Sequence, residues 1–276
     1  MSPSRPTGSI RARRARPRPA IAAGVLVIAA LTCSGRAAAA RASEASHSRF
    51  GVPASARQLI VVSSPTYDPP GYLASFQTFR RASQSSAWKP VFPAWRAETG
   101  SGHLVDVRRE GDHATPTGVF PFGLTMYGNG ANPGGLHEAY HHLVCGDWWD
   151  EDPYSNRYNR FVHVRCGSTP PFAAWSEALW TDPRSYRYLA VIDFNLNPTI
   201  RGRKAPGSGI FLHAWMHGPT EGCVALPVPD LLDVLRWLEP ADHPVIEMGT
   251  DAEVGHVPPA PAQLHGRLPR EAPGSS

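Results

Sequence analysis

The sequence has no apolar run long enough to cross a bilayer: residues 20–31 form an apolar run, well short of the ~20 residues a membrane-spanning helix needs. A retained membrane anchor is therefore not expected. Basic surplus is also missing once the chain is read by region. The 276 residues carry 27 Lys and Arg against 23 Asp and Glu, but seven of those arginines and none of the acidic residues fall in residues 1–40. Without that segment 20 basic residues face 23 acidic ones, a formal charge of −3. This leaves no electrostatic footprint for nucleic acid. No internal repeat is visible either.

What the N-terminus does contain is ordered. Six arginines between Arg5 and Arg18 precede the apolar run, and Ala37 to Ala40 supply small residues after it. This is the layout of a secretory signal, so residues 1–40 are expected to be a signal peptide cleaved near Ala40, with the mature protein exported and no membrane insertion afterwards. Cysteine is scarce. Of four in the chain, cleavage would leave Cys145, Cys166 and Cys223. An odd number outside the cytosol suggests one disulfide plus a free, reactive thiol. Cys145 and Cys166 flank a loop-like stretch and are the natural pair, worth about 3 kcal/mol on the chain-entropy model; two reduced, buried thiols are the alternative.

Residues 41–57 are small and polar and read as a linker. Residues 251–276, rich in Pro, Gly and charge, read as a disordered tail. Residues 58–250 remain for one domain with a sizeable core. Short β-branched or aromatic runs at residues 58–62, 104–108, 118–122, 161–165, 188–194, 209–213 and 244–248 predict strands. Helices are predicted at 172–179 and at 230–238, the second with Asp230 as cap, a leucine face and a stop at Pro240. The class is mainly β, not alternating α/β.

The most informative stretch runs from Gly209-Ile210-Phe211-Leu212-His213 through a short loop to Thr220-Glu221-Gly222-Cys223. A strand ending in His213 and a Gly-Cys pair just beyond it place an imidazole and a thiol at one mouth of a sheet. Nucleophilic catalysis needs that pairing, because a thiol near its free pKa is mostly protonated at neutral pH and requires a base. Gly222 permits a tight turn, backbone N–H groups of Glu221, Gly222 and Cys223 are candidates for oxyanion binding, and Thr220, Glu221 and Gly222 are expected to serve as oxyanion and positioning residues. A structural cysteine beside a core histidine is the bland alternative. His217, four residues past His213, is a competing base, and Glu221 is either a substrate contact or an ordinary exposed carboxylate.

These residues resemble the L,D-transpeptidase catalytic domain, also called YkuD-like. The resemblance rests on His213 with Thr220-Glu221-Gly222-Cys223, on Thr115-Pro116-Thr117-Gly118-Val119-Phe120, and on Trp148 with residues 152–159. Glu221 stands where most of the family has a histidine, the spacing from His213 to Cys223 is short, and Val224-Ala225-Leu226 replaces a usual polar residue after the cysteine. The pattern is that of a divergent branch. The resemblance implies a single β-sandwich domain with a few short helices, no cofactor and no metal. It also implies a secreted cell-wall enzyme that acylates Cys223 with peptidoglycan stem peptides, is acylated by carbapenems, and uses His213 as base. Resolution of the thioester by water would make the same residues an L,D-peptidase.

Two other classes stay open at this level. His137-Glu138-Ala139-Tyr140-His141 fits the zinc-protease pattern, which requires a helix to bring its imidazoles together. A non-catalytic wall-binding module sharing the fold is the other. Trp148, Trp149, Tyr154 and Tyr158 are candidates for a substrate groove or for the core. Arg108 and Arg109 either face a substrate carboxylate or lie on a solvated strand edge.

Overall fold

In the computed structural model, residues 49–65, 71–214 and 217–254 are described. The expected signal peptide, the first part of the linker and most of the tail lie outside these residues. The strands are β1 (Gln58–Ser64), β2 (Leu73–Arg80), β3 (Lys89–Pro90), β4 (Trp95–Glu98), β5 (Leu104–Val105), β6 (Thr115–Pro116), β7 (Gly118–Gly128) and β8 (Ala139–His142). They continue as β9 (Asp147–Asp150), β10 (Arg160–His163), β11 (Glu177–Ala178), β12 (Leu189–Ile192), β13 (Phe211–Ala214), β14 (Val224–Leu226) and β15 (Val245–Thr250). Helix α1 (Val228–Trp237) and four short 3₁₀ turns complete the described secondary structure.

The main sheet runs β1-β15-β7-β12-β13-β14-β4-β2-β3, and β1 also pairs with β2. The hydrogen-bonded path thus returns to its start. Mainly β with few helices is the class observed. The first core lies inside this path. Ile60, Phe76, Met126, Ile192, Leu212, Val224, Leu226 and Ile246 meet there with Leu231, Val234, Leu235 and Leu238 of the α1 segment. Burying each such side chain contributes about 1.5–3 kcal/mol, and the leucine spacing on α1 is the helical stripe the sequence shows. The helix begins two residues earlier than predicted. Pro227 precedes it, a proline occupies its first turn, and Asp230 sits within that turn, where the carboxylate faces the positive end of the helix dipole.

The other predicted helix does not form. Over residues 172–179 the chain bends and then pairs as β11 with β9, Glu177 opposite Trp149, before a 3₁₀ turn at Leu179–Thr181. Aromatic packing explains the outcome: Trp148 meets Phe172 and Trp180 edge-on at 5.8 and 5.1 Å, a tertiary demand that outweighs local helix propensity. The strand predicted at 104–108 is only two residues long. It gives way to a turn in which Asp112 accepts the Arg109 and Ala114 N–H groups.

The ends of the domain reach further than the sequence suggests. Ala56, within the expected linker, is fully buried, and Arg81 donates to the carbonyls of Pro53, Ala54 and Ala56. Val254 is buried beyond the expected boundary at 250. Cys145 and Cys166 form a disulfide, and Cys223 is the free cysteine among the described residues.

Candidate active site

Strands β13 and β14 run parallel, with Leu212 opposite Val224 and His213 opposite Ala225. Side chains alternate across a strand, so Leu212, Ala214, Val224 and Leu226 enter the first core. Phe211 and His213 project from the other face, and Cys223, one residue before β14, shares that face with Phe211 in a second cluster. Register therefore gives the imidazole and the thiol a common side of the sheet. Both line a cavity of about 640 Å³.

Gly222 is what allows the approach to Cys223. Its φ is +121°, and a Cβ there would lie 2.6 Å from the Ala114 carbonyl oxygen, so only glycine fits. Thr220 braces the turn: its hydroxyl donates to the Cys223 carbonyl at 2.8 Å and accepts from the Gly222 N–H at 3.2 Å. The Thr220 N–H is given to Thr99 O at 2.9 Å. Of the amides considered for an oxyanion site, that of Gly222 is thus already committed within the protein.

The Cys223 Sγ–H donates to Gly209 O at 3.2 Å and Sγ accepts from Phe211 N at 3.4 Å. Its hydrogen bonds are with backbone rather than with the imidazole. Burial pushes the Cys223 pKa up to about 12, against the Phe211 amide and the Arg108 charge, which favour the thiolate. Burial likewise lowers His213 to about 4, with backbone of Ala214 and Ser185 opposing it. Nδ1 of His213 is buried without a hydrogen bond of good geometry. At neutral pH the resting pair is a neutral thiol and a neutral imidazole, the second free to act as a base.

Other walls of the cavity come from residues that local sequence patterns did not single out. Tyr186 stands edge-on to His213 at 5.7 Å between ring centroids, and burial followed by the Glu177 charge raises its pKa well above the usual value. Burial, then Glu177 and Glu110, raise Glu151 well above the carboxylate range; burial and then Glu221 raise Glu177. Trp175 lies at the rim, 70% exposed. The β9–β11 pairing brings Glu151 and Glu177 together, and the helix predicted across 172–179 concealed that pairing.

The remaining candidates fall as follows. Glu221 lines the cavity with its side chain 81% exposed, 3.7 Å from His113. His217 is exposed and is not among the lining residues. Trp149 and Tyr158 are core residues, bonded to Asn159 and Glu110. Tyr154 is 74% exposed, and none of the four predicted groove aromatics lines the cavity. Arg108 is buried and lines it, whereas Arg109 is exposed. His141 lies on β8, bonded to Asp147 at 2.8 Å, and His137 lies before that strand, paired with Glu239 at 2.9 Å. The helix that the zinc-protease pattern requires is absent from that segment, and among the described residues no group of three His, Cys, Asp or Glu is placed to hold a metal ion.

A mainly β domain with a buried thiol and an imidazole on one face of a parallel strand pair, opening into a shared cavity, is what the fold and site define. The family model for the L,D-transpeptidase catalytic domain, YkuD, matches residues 82–249, and the chain belongs to that family. No curated protein and no solved structure matches the chain.

Proposed function

We propose that the protein is an exported L,D-transpeptidase of the cell envelope, with Cys223 as nucleophile and His213 as base. The observation that carries this reading is the placement of a free thiol and a neutral imidazole in one cavity of a family domain. The donor is a peptidoglycan tetrapeptide stem. As its scissile carbonyl enters, the Cys223 proton passes to His213, sulfur bonds the carbonyl carbon of the third residue, and the C–N bond to the fourth residue breaks. His213 returns the proton to the departing amine. An amine of a second stem then gives up a proton to His213 and attacks the thioester; the S–C bond breaks and the thiol is restored. The Gly209 carbonyl holds the Sγ–H in the resting state, so proton transfer begins with a rotation of that bond toward the imidazole.

Incubation of the protein with a tetrapeptide donor stem and an acceptor stem tests the reading. Mass spectrometry should find a cross-link ending at the third donor residue, lost in Cys223→Ala. A tripeptide product alone would assign the chain as an L,D-peptidase. Neither product from folded protein would remove the stem-peptide function. Export is tested separately by N-terminal sequencing of protein recovered outside the cell, which should begin near Arg41; a start at Met1 would count against cleavage.

A further inference from the structure

The cavity around Cys223 is acidic. Glu110, Glu151, Glu177, Asp182 and Glu221 line it, and Arg108 is the one Arg or Lys among its described lining residues. Strand β14 offers no cation of its own, being Val224-Ala225-Leu226. A thiolate formed there meets acidic side chains on several sides and a single guanidinium.

That guanidinium is built in. The Arg108 side chain is 4% exposed, with Nε 3.2 Å from Asp112. Nη1 donates to Ser208 O at 3.2 Å and Nη2 to Glu221 O at 3.4 Å. Ser208 immediately precedes Gly209, whose carbonyl receives the Cys223 Sγ–H, and Glu221 immediately precedes Gly222-Cys223. The fork of one side chain thus ties together the two backbone segments that flank the sulfur. Glycines make room for it. A Cβ at Gly207 would lie 2.2 Å from Nη1, and one at Gly222 3.0 Å from Nη2.

We propose that Arg108 is a positioning residue for the nucleophile, clamping the Ser208-Gly209 and Glu221-Cys223 segments together and presenting its positive charge to the sulfur as the thiolate forms. The inference rests on Cys223 being the nucleophile. The thiol proton still passes to His213, and Arg108 transfers none. A planar fork suits this place better than an ammonium, because it bonds two carbonyls at once while its charge is held by a rigid plane. Burial is the first influence on the ionisation of Cys223; the Phe211 N–H and then Arg108 favour the thiolate, and Glu151 and Glu177 oppose it. His213 and Tyr186 face the same space, with Glu110, Asp112, His113, Asp182 and Glu221 around it.

The test is the pH profile of Cys223 alkylation by iodoacetamide in the full chain, followed on the Cys223 peptide by mass spectrometry, with folding checked by circular dichroism. Arg108→Gln should move the midpoint to higher pH and slow alkylation on the acid side of it about tenfold, one pKa unit being a factor of ten. Arg108→Lys should recover much of that loss. Asp112→Asn, which removes the carboxylate beside Nε, should move the midpoint the other way and decides the matter if Arg108→Gln does not fold. An unshifted profile in either folded variant would overturn the proposal. So would an Arg108→Gln protein whose alkylation is unchanged while its KM for the donor stem rises, since Arg108 would then be reading substrate. Because iodoacetamide replaces the stem, a normal Arg108 dependence with no stem product would defeat the transpeptidase reading and leave the clamp standing.

Discussion

At the scale of single residues, the site depends on two groups held in their neutral forms and one glycine that brings them together. His213 can accept a proton only while neutral, and burial lowers its pKa to about 4. Acylation should therefore keep its rate from neutral pH down toward pH ~4 and fall below it as the imidazole becomes protonated. A pH–rate series with the donor stem checks this; an acid limb centred near the free imidazole value would place another group in the role. Gly222 has no tolerable replacement. With φ at +121° and the Ala114 carbonyl 2.6 Å from any Cβ, Gly222→Ala should cost about 1–3 kcal/mol in thermal or denaturant unfolding and displace Cys223. A wild-type melt with full activity would contradict that geometry.

Among the elements, the β13–β14 pair carries the site while the disulfide secures the edge that supplies its acidic wall. Cys145 precedes β9 and Cys166 follows β10, so the bond closes the β9–β10 hairpin at its open end. β9 leads directly into Glu151 and pairs with β11, which carries Glu177. Replacing both cysteines by alanine should lower unfolding free energy by about 2–4 kcal/mol. Urea titration measures it, and an unchanged midpoint would show that β9–β11 pairing suffices. The elements were unequally legible in the sequence. The strand carrying His213, though it runs Phe211–Ala214 rather than ending at the histidine, the glycine before Cys223 and the leucine face of α1 could be read directly, because each is fixed by neighbours a few residues away. Residues 172–179 could not: their fate depends on Trp148 and Trp180 packing against them. Glu151, Glu177 and Tyr186 went unseen for the same reason, since only long-range pairing brings them beside Cys223. Arg108 was visible as a residue, but its burial follows from glycines roughly a hundred positions away.

For the whole molecule, the cavity couples stability to pH in two directions. His213 has a lowered pKa in the fold, so the unfolded chain binds more protons between its ordinary value and about 4, and stability is lost as pH falls through that window. Glu151 has a raised pKa from burial and its neighbours Glu177 and Glu110. Its stability is fully present below the ordinary carboxylate range and is lost as pH rises. Glu151→Gln should accordingly raise the melting temperature more at pH 8 than at pH 5, and an equal effect at both would refute the raised Glu151 pKa. The central claim is that Cys223 becomes covalently acylated, and intact-mass measurement of the protein after brief exposure to a tetrapeptide stem or a carbapenem tests it most directly. The expected result is a single acyl adduct that maps to the Cys223 peptide, is absent from Cys223→Ala, and forms roughly 10²- to 10⁴-fold more slowly in His213→Ala. Folded wild-type protein that stays unmodified with both reagents, or is acylated equally well without Cys223, would contradict the account.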